Sequence, residues 1–205
     1  MQEQNELKFR KLKADEIECR VGQATQKGIT LLLYKTSRTD VDILNEAVGT
    51  MNWQVEQKDI AGKLYTGVSI WDNNKKQWVY KWSVGTESNM EAAKGEDSDG
   101  LKRSTFRWGL GLELYSAPRI FISADKCDMY ERNGKYGTWD KFIVEKISYN
   151  TKGEIDGLSI LNIGNGIGSK KERVYVYLSP EKEKTKKEKK KQEIKEDDDI
   201  LELPI

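Results

Sequence analysis

The feature that most constrains the fold is an alternation of apolar and polar residues between Asn52 and Val84. Three runs, WQVEQKDI, KLYTGVSIWD and KQWVYKWSV, are separated by AG and DNNKK, which both have turn compositions. Successive side chains of a strand point to opposite faces of a sheet, so this alternation is typical of half-buried strands. The region therefore predicts three consecutive antiparallel strands, a β-meander.

The meander is followed by the longest helical candidate of the chain, residues 90–115. Apolar or small residues recur there every three or four positions, at Leu101, Thr105, Trp108, Leu112 and Tyr115. Ser98 and Asp99 are expected to cap the N-terminal end of this helix. The predicted fold class is α+β, with an antiparallel β-meander packed against a long helix.

Other segments have simpler patterns. Residues 7–21 read as a short helix, Ile29–Tyr34 as a buried strand, and Asp40–Val48 as a helix with Thr39 as its N-cap. Four strand-like runs lie beyond Pro118: RIFIS, KFIVEKISYN, IDGLSILNI and RVYVYL. Residues 1–179 are expected to form one domain.

The C-terminal residues 180–205 form a polar tail, for which we expect disorder. Residues 180–195 hold eight lysines against four glutamates, and residues 196–205 hold five acidic residues and no cation. The whole chain has a formal net charge of only +1, which conceals this basic-then-acidic order.

Enzyme classes find little support in the residues. The chain has no histidine, which is the commonest general base and metal ligand. GNGIGSK (Gly164–Lys170) lacks the Walker spacing and is better explained as a turn between strands, and Glu96, Asp97 and Asp99 do not match a calcium loop. Cys19 and Cys127 have no neighbouring base. We therefore expect no enzyme activity, no cofactor and no bound metal.

The cellular location is predicted from two simple features. Two cysteines do not make a disulfide framework, which favours a reducing compartment. No apolar run approaches the ~18 residues of a membrane span, and MQEQNELKFRK has no apolar signal region. The expected location is the cytoplasm of a bacterial cell or of a phage-infected host.

Three cations, Lys102, Arg103 and Arg107, lie within two turns of the predicted helix and away from its apolar stripe. One face of the helix can pack on a sheet while the other presents positive charge. The residues alone leave two interpretations open: a face that binds phosphates, or an ordinary solvated face. The many tryptophans alternate within strands, which favours packing over base stacking.

The chain from about residue 15 to residue 120 resembles the annealing domain of the Rad-fifty-two family, in its bacterial or bacteriophage form. The resemblance is carried by IECRVG (Ile17–Gly22), LLYKTSRTDVDILNEAVGTMNW (Leu32–Trp53), YTGVSIWD (Tyr65–Asp72), VGTES (Val84–Ser88) and SDGLKRSTFRWGLG (Ser98–Gly111). The last run is the most specific. In that family, it implies an oligomeric annealing-protein fold that assembles as a ring or filament.

The resemblance implies an ATP-independent single-strand annealing protein of recombination and double-strand break repair. Such proteins hold single-stranded DNA in a basic groove with the bases accessible. The family's DNA-binding positions correspond here to Arg20, Tyr34, Lys94, Lys102 and Arg103, whereas Arg107 is one place away from a basic residue of the family. Two alternatives remain: an accessory protein that binds single strands without annealing them, and a metal-dependent nuclease.

The acidic tip EDDDILELPI (residues 196–205) resembles the tips by which bacterial single-strand binding proteins recruit partners. We hypothesise that it docks on another replication or recombination protein, or competes with DNA for the basic groove. A solubilising end without a partner is the other reading of this charge block. The lysine-rich run before it is expected to add non-specific attraction to phosphate.

Overall fold

The computed structural model describes residues 7–86, 92–165 and 171–188, with only the backbone described at 92–94. The fold is α+β with mostly antiparallel sheets, as predicted. Two compact units divide the chain. The first comprises Met1–Glu18 and Leu33–Tyr115, and the second comprises Cys19–Leu32 and Ser116–Ile205. Within the described ranges, no helix has the length and apolar character needed to cross a membrane.

The first unit contains the predicted meander. Its strands are β3 (Trp53–Ile60), β4 (Lys63–Asp72) and β5 (Gln77–Val84), paired antiparallel in the order β3-β4-β5. Ile60 pairs with Lys63, so Ala61 and Gly62 alone form the first turn, with φ of 55° and 73°. Two successive residues with positive φ make the hairpin turn that matches the twist of the flanking strands.

Two α-helices complete the first unit, α1 (Ser37–Val48) and α2 (Ala92–Trp108). The N-cap of α1 is Thr36, whose side chain accepts a hydrogen bond from the Thr39 N–H, so the prediction of Thr39 as the cap is wrong. Both residues are threonines in the same short run, and propensity does not distinguish them. Gly49 ends α1 at φ 83°, as expected.

The prediction of a helix over residues 7–21 is wrong. Strand β1 (Ile17–Thr25) occupies the second half of that range, after a short 3-10 turn at Ala14–Glu16. β1 lies between β2 and β9 in a sheet, so its conformation depends on partners elsewhere in the chain. Leu12, before the turn, is nevertheless buried, with 2% of its surface exposed.

The second unit is built on a six-stranded sheet with the order β11-β10-β9-β1-β2-β6. The other strands of the sheet are β2 (Gly28–Lys35), β6 (Ile120–Ser123), β9 (Lys141–Tyr149), β10 (Ile155–Gly164) and β11 (Glu172–Leu178). These match the apolar runs predicted as strands. The last three residues of β2, from Leu33 to Lys35, belong to the first unit. The loop of GNGIGSK lies largely outside the described residues, since 166–170 are not described.

A separate two-stranded hairpin, β7 (Met129–Arg132) and β8 (Lys135–Thr138), also belongs to the second unit. Its two-residue turn is Asn133-Gly134, with φ of 53° and 70°. This hairpin was not predicted, although Asn-Gly between strand-like residues is a strong hairpin signal.

Residues 180–188 are helical, whereas disorder was expected from Pro180 onward. Ser179 caps this helix, because its side-chain oxygen accepts the Lys182 N–H at 3.3 Å. Pro180 follows at the first helical position, where its missing N–H costs nothing. The Lys182 ammonium also binds Asp156 at 2.8 Å. The acidic tip and the rest of the lysine-rich run lie outside the described residues.

Candidate nucleic-acid interface

One side of α2 is fixed to the meander by small residues and a tryptophan. The Ser104 hydroxyl donates to the Thr66 carbonyl, and the Trp108 Nε1–H donates to the Val68 carbonyl at 2.9 Å. Gly100 allows a close approach, because a Cβ there would lie 2.9 Å from the Thr66 Cβ. These contacts place the Trp108 side of α2 against β4, as the helical spacing predicts.

The helix ends at Trp108, so the predicted continuation to residue 115 is wrong. The Gly109 N–H donates to the Phe106 carbonyl at 2.9 Å, and the Leu110 N–H donates to the Thr105 carbonyl at 3.3 Å. This pair of bonds, with Gly109 at φ 107°, is a Schellman cap. Beyond the cap the helical stripe is lost, and Tyr115 is 80% exposed.

A buried ion pair lies where β2, α1 and α2 meet. The Lys35 ammonium binds the Asp40 carboxylate and lies 3.4 Å from the Thr105 hydroxyl, with the Lys35 and Asp40 side chains 7% and 0% exposed. Burial lowers the pKa of Lys35 and raises the pKa of Asp40, while their mutual attraction opposes both shifts. Gly111 leaves room for the aliphatic part of the Lys35 side chain, since a Cβ at position 111 would lie 2.7 Å from the Lys35 Cδ.

A second buried carboxylate connects the end of α2 with the N-terminal segment. Glu113 is 3% exposed and accepts the Leu12 N–H at 2.8 Å, and its other oxygen lies 3.5 Å from the Lys11 ammonium. The residues that follow the α2 cap are thereby tied to the start of the first unit.

The three cations of the sequence analysis lie on the side of α2 away from Trp108. Arg103 and Arg107 are exposed and Lys102 is half-buried. The Arg103 Nε–H donates to Asp99 at 2.7 Å, whereas Lys102 and Arg107 make no side-chain hydrogen bond or ion pair with any described residue. Burial is the main cause of the lowered pKa of Lys35 and of the raised pKa of Asp40; the positive charge of Lys102 adds to the first shift and opposes the second.

The prediction that Ser98 and Asp99 cap α2 is wrong, because the helix already begins at Ala92. Asp99 instead binds Arg103 and accepts hydrogen bonds from the N–H and the hydroxyl of Thr86 at 3.0 and 2.9 Å. Asp97 accepts a hydrogen bond from the Gln57 side chain, and the Ser98 hydroxyl donates to the Gly95 carbonyl at 3.3 Å. The acids therefore hold α2 and its cations in place.

The remaining predicted DNA-binding residues lie at different places in the fold. Tyr34 is 39% exposed and precedes Lys35 at the end of β2, in the first unit. Lys94 lies in the first turn of α2, and its side chain is outside the described residues. Arg20 is exposed on β1 and belongs to the second unit. Within one unit, the structure places Lys35 beside α2, whereas Tyr34 alternates to the opposite, exposed face of β2.

Most of the meander tryptophans pack, as expected. On the face opposite α2, Tyr80 stacks on Trp82 with ring centroids 5.6 Å apart, and Trp71 meets Trp78 edge-on at 5.5 Å. The Lys58 ammonium lies 4.5 Å from the centroid of Trp82. These rings are half-buried and already in contact with their own neighbours.

Sequence reasoning missed the buried charges Lys35, Asp40 and Glu113. A signal was present for the first: alternation along β2 places Lys35 on the same face as the buried Ile29 and Leu31. Asp40 sits in the first turn of α1, where an acid is ordinarily a dipole partner, so its burial had no sequence signal.

No protein-family model matches the chain, and a search of curated proteins finds no match.

Proposed function

We propose that this protein is an ATP-independent single-strand annealing protein, which binds single-stranded DNA and promotes pairing of complementary strands in recombination and double-strand break repair. The observation that carries the proposal is the arrangement of α2. Its Trp108 side is fixed to the meander, and its other side presents Lys102, Arg103 and Arg107.

Annealing needs cations at fixed positions and no covalent step. Phosphate contacts supply affinity and position, and they leave base edges free to pair with a second strand. A helix that is anchored by side-chain hydrogen bonds holds its cations in place before DNA arrives, which reduces the ordering cost of binding. Ion pairing with Asp99 occupies the Arg103 Nε and leaves the two Nη groups for a phosphate.

A role for Tyr34, which is exposed on β2 in the same unit, is part of the proposal through the family resemblance. Roles for Arg20 and Lys94, and assembly into a ring or filament, are part of the proposal through the family resemblance. In such an assembly the grooves of neighbouring subunits would form one continuous path for the strand.

An annealing assay with labelled complementary oligonucleotides tests the proposal. We expect pairing well above the protein-free rate, unchanged by ATP or by a chelator. Binding without faster pairing would instead identify an accessory single-strand binding protein. Cleavage that a chelator abolishes would identify a metal-dependent nuclease.

The site is tested by the double variant Lys102→Ala, Arg103→Ala. Each lost phosphate contact lowers the slope of log K against log salt by about 0.7 on single strands, so we expect a decrease of about 1.4 and an affinity loss of about tenfold or more. Fluorescence anisotropy across a salt series measures both quantities.

A matched control, Lys63→Ala with Lys75→Ala, removes the same charge from the turns of the meander in the same unit. Both lysines are exposed, and Lys75 has only a 3.7 Å contact with Asp72. We expect the control to retain nearly full affinity. Equal losses in the two double variants would show that only the net charge matters and would refute the assignment to α2.

A further inference from the structure

The β7–β8 hairpin of the second unit is firmly attached at its base. Asp140, just after β8, accepts the Asp128 N–H and the Asn162 side-chain amide, both at 2.7 Å. The Thr138 hydroxyl donates to the Asp128 carbonyl at 2.6 Å. Asn162 lies on β10, so these bonds hold the hairpin against the six-stranded sheet of its own unit.

The hairpin region carries an aromatic pair in which Tyr130 is half-buried and Trp139 is exposed. The rings of Tyr130 and Trp139 stack with centroids 4.7 Å apart and an angle of 26° between their planes. Gly137, opposite Tyr130 in the register, leaves room for the tyrosine, because a Cβ there would lie 2.5 Å from its ring. Trp139 remains 60% exposed although its indole is already held by a ring neighbour. Stacking thus orients a large flat surface towards solvent.

Two cations lie on the same face of the hairpin as Tyr130. Arg132 is two residues further along β7, and it pairs across the ladder with Lys135. Both side chains are exposed, and neither makes a hydrogen bond or ion pair with any described residue. The nearest acid of the hairpin, Glu131, lies on the opposite face, where it accepts a hydrogen bond from Tyr136.

Acidic residues also occur at the base of the hairpin. Asp140 is engaged by Asp128 and Asn162, while Asp125 and Asp128 are exposed before β7. The charge of the hairpin is therefore polarised, with acids at the base and free cations beside the turn. A polyanion that contacts Trp139 would be directed towards Arg132 and Lys135.

We propose that this face binds single-stranded DNA as a separate contact site in the second unit. An unpaired base stacks on Trp139, and Arg132 and Lys135 neutralise neighbouring phosphates. Base–aromatic stacking beside cations is the usual combination in sequence-tolerant single-strand binding. The inference rests on the proposed function, because it assigns another contact to the same ligand, but it uses none of the α2 residues.

The contrast with the meander tryptophans supports this choice of site. Trp82 is half-buried and covered by the Lys58 ammonium, and the Tyr80 hydroxyl is bound to Glu56 at 2.6 Å. Trp139 has no cation over its ring among the described residues, and the unpaired Arg132 and Lys135 lie further along the same hairpin, on the face of Tyr130. The hairpin therefore combines an available ring surface with available positive charge, which the described meander tryptophans do not.

The test compares two oligonucleotides of equal length, one of deoxythymidine and one of abasic deoxyribose phosphate. Trp139→Ala is expected to weaken binding of the first about tenfold and to leave binding of the abasic strand unchanged, since only the first can stack. Trp139→Phe keeps a flat ring and is expected to restore most of the affinity. Unchanged binding of the abasic strand by Trp139→Ala also shows that the Ala variant is folded.

Arg132→Ala with Lys135→Ala is expected to weaken binding of both oligonucleotides and to lower the salt slope by about 1.4. The single variant Lys135→Ala is compared with Lys152→Ala, which removes one charge from an exposed lysine in the β9–β10 turn of the same unit and should bind as the wild type does.

Each outcome decides between the proposals. Wild-type affinity in Trp139→Ala, or an equal loss on the abasic strand, would overturn the stacking site and leave the annealing proposal intact. A change in oligomeric state with unchanged DNA affinity would assign the face to a protein contact and overturn it as well. No binding of either strand by the wild-type protein would refute both proposals.

Discussion

The Lys35–Asp40 pair shows how a single buried contact can organise a surface. A buried ion pair contributes little net stability, because desolvation offsets the attraction between its members. Its position matters more: the lysine comes from the end of β2, the aspartate from α1, and the Thr105 hydroxyl from α2. The ends of β2, α1 and α2 are held in a fixed arrangement as a result.

We expect Asp40→Ala to lower the free energy of unfolding by about 3–5 kcal/mol, because it leaves the Lys35 ammonium buried without its counter-charge. The double variant Lys35→Met, Asp40→Leu should recover most of that loss, since apolar residues of similar volume carry no desolvation cost. Urea denaturation monitored by circular dichroism measures both values.

The exposed pair Lys75–Asp72 provides the comparison, because Lys75→Ala should cost less than about 0.5 kcal/mol. A similarly small effect of Asp40→Ala would mean that the Lys35 ammonium reaches water and would contradict a buried pair.

Small residues determine how closely α2 approaches the meander. Gly100 faces the Thr66 side chain, and Ser104 is fully buried against the Thr66 carbonyl. A helix interior ordinarily gains about 1 kcal/mol when glycine is replaced by alanine. Here the added methyl group has no space, so the usual sign of the substitution reverses.

Gly100→Ala is expected to lower the free energy of unfolding by about 1–3 kcal/mol through overpacking against Thr66. Thr66→Ala in the same chain should relieve part of this loss, because it removes the threonine hydroxyl and methyl groups that crowd the added Cβ of Ala at position 100. A double-mutant cycle in urea measures the coupling. Additive effects of the two substitutions would show that Gly100 does not approach Thr66 this closely.

The sequence predicted those elements whose pattern is local. The meander, β2 and the late strands have clear alternation, and α1 has helical spacing with a glycine stop. The prediction of a helix over residues 7–21 was wrong because β1 takes its conformation from strand partners that come later in the chain. The predicted continuation of α2 beyond Trp108 was wrong because Gly109 ends the helix, although Leu112 and Tyr115 continue the helical spacing of the sequence.

The outward direction of Lys102, Arg103 and Arg107 followed from helical spacing alone, and the structure agrees. What the sequence could not supply was the origin of that direction. Much of SDGLKRSTFRWGLG holds α2 in place. Gly100, Ser104 and Trp108 contact the meander, and Gly111 leaves room for the Lys35 side chain. Side-chain partners 38 to 40 residues away along the chain have no local signature.

At the scale of the whole molecule, positive and negative charges are separated along the chain, although the formal net charge is only +1. The described residues hold free cations on α2 in one unit and on the β7–β8 hairpin in the other. The acidic tip, residues 196–205, has the opposite sign and lies outside the described residues. A competitor of this charge is expected to act on DNA binding mainly at low salt.

Deletion of residues 196–205 is expected to raise the affinity for single-stranded DNA several-fold at low salt, with little change at high salt, because five carboxylates are removed. Anisotropy titrations at two salt concentrations measure the change. A variant with Asp197, Asp198 and Asp199 replaced by asparagine retains the length and separates charge from chain. If the deletion changes neither the DNA affinity nor the proteins recovered with this chain in a pull-down, the tip would be a merely solubilising end.

The contact between Leu12 and Glu113 has a consequence for the order in which the first unit is completed during synthesis. The two residues are 101 positions apart, and the Leu12 N–H lies outside any helix or strand. At about 5–20 residues per second, the ribosome needs roughly 5–20 s to add the glutamate after the leucine. The Leu12 N–H therefore spends that interval without its acceptor, and this contact forms only after α2 and its cap have been made.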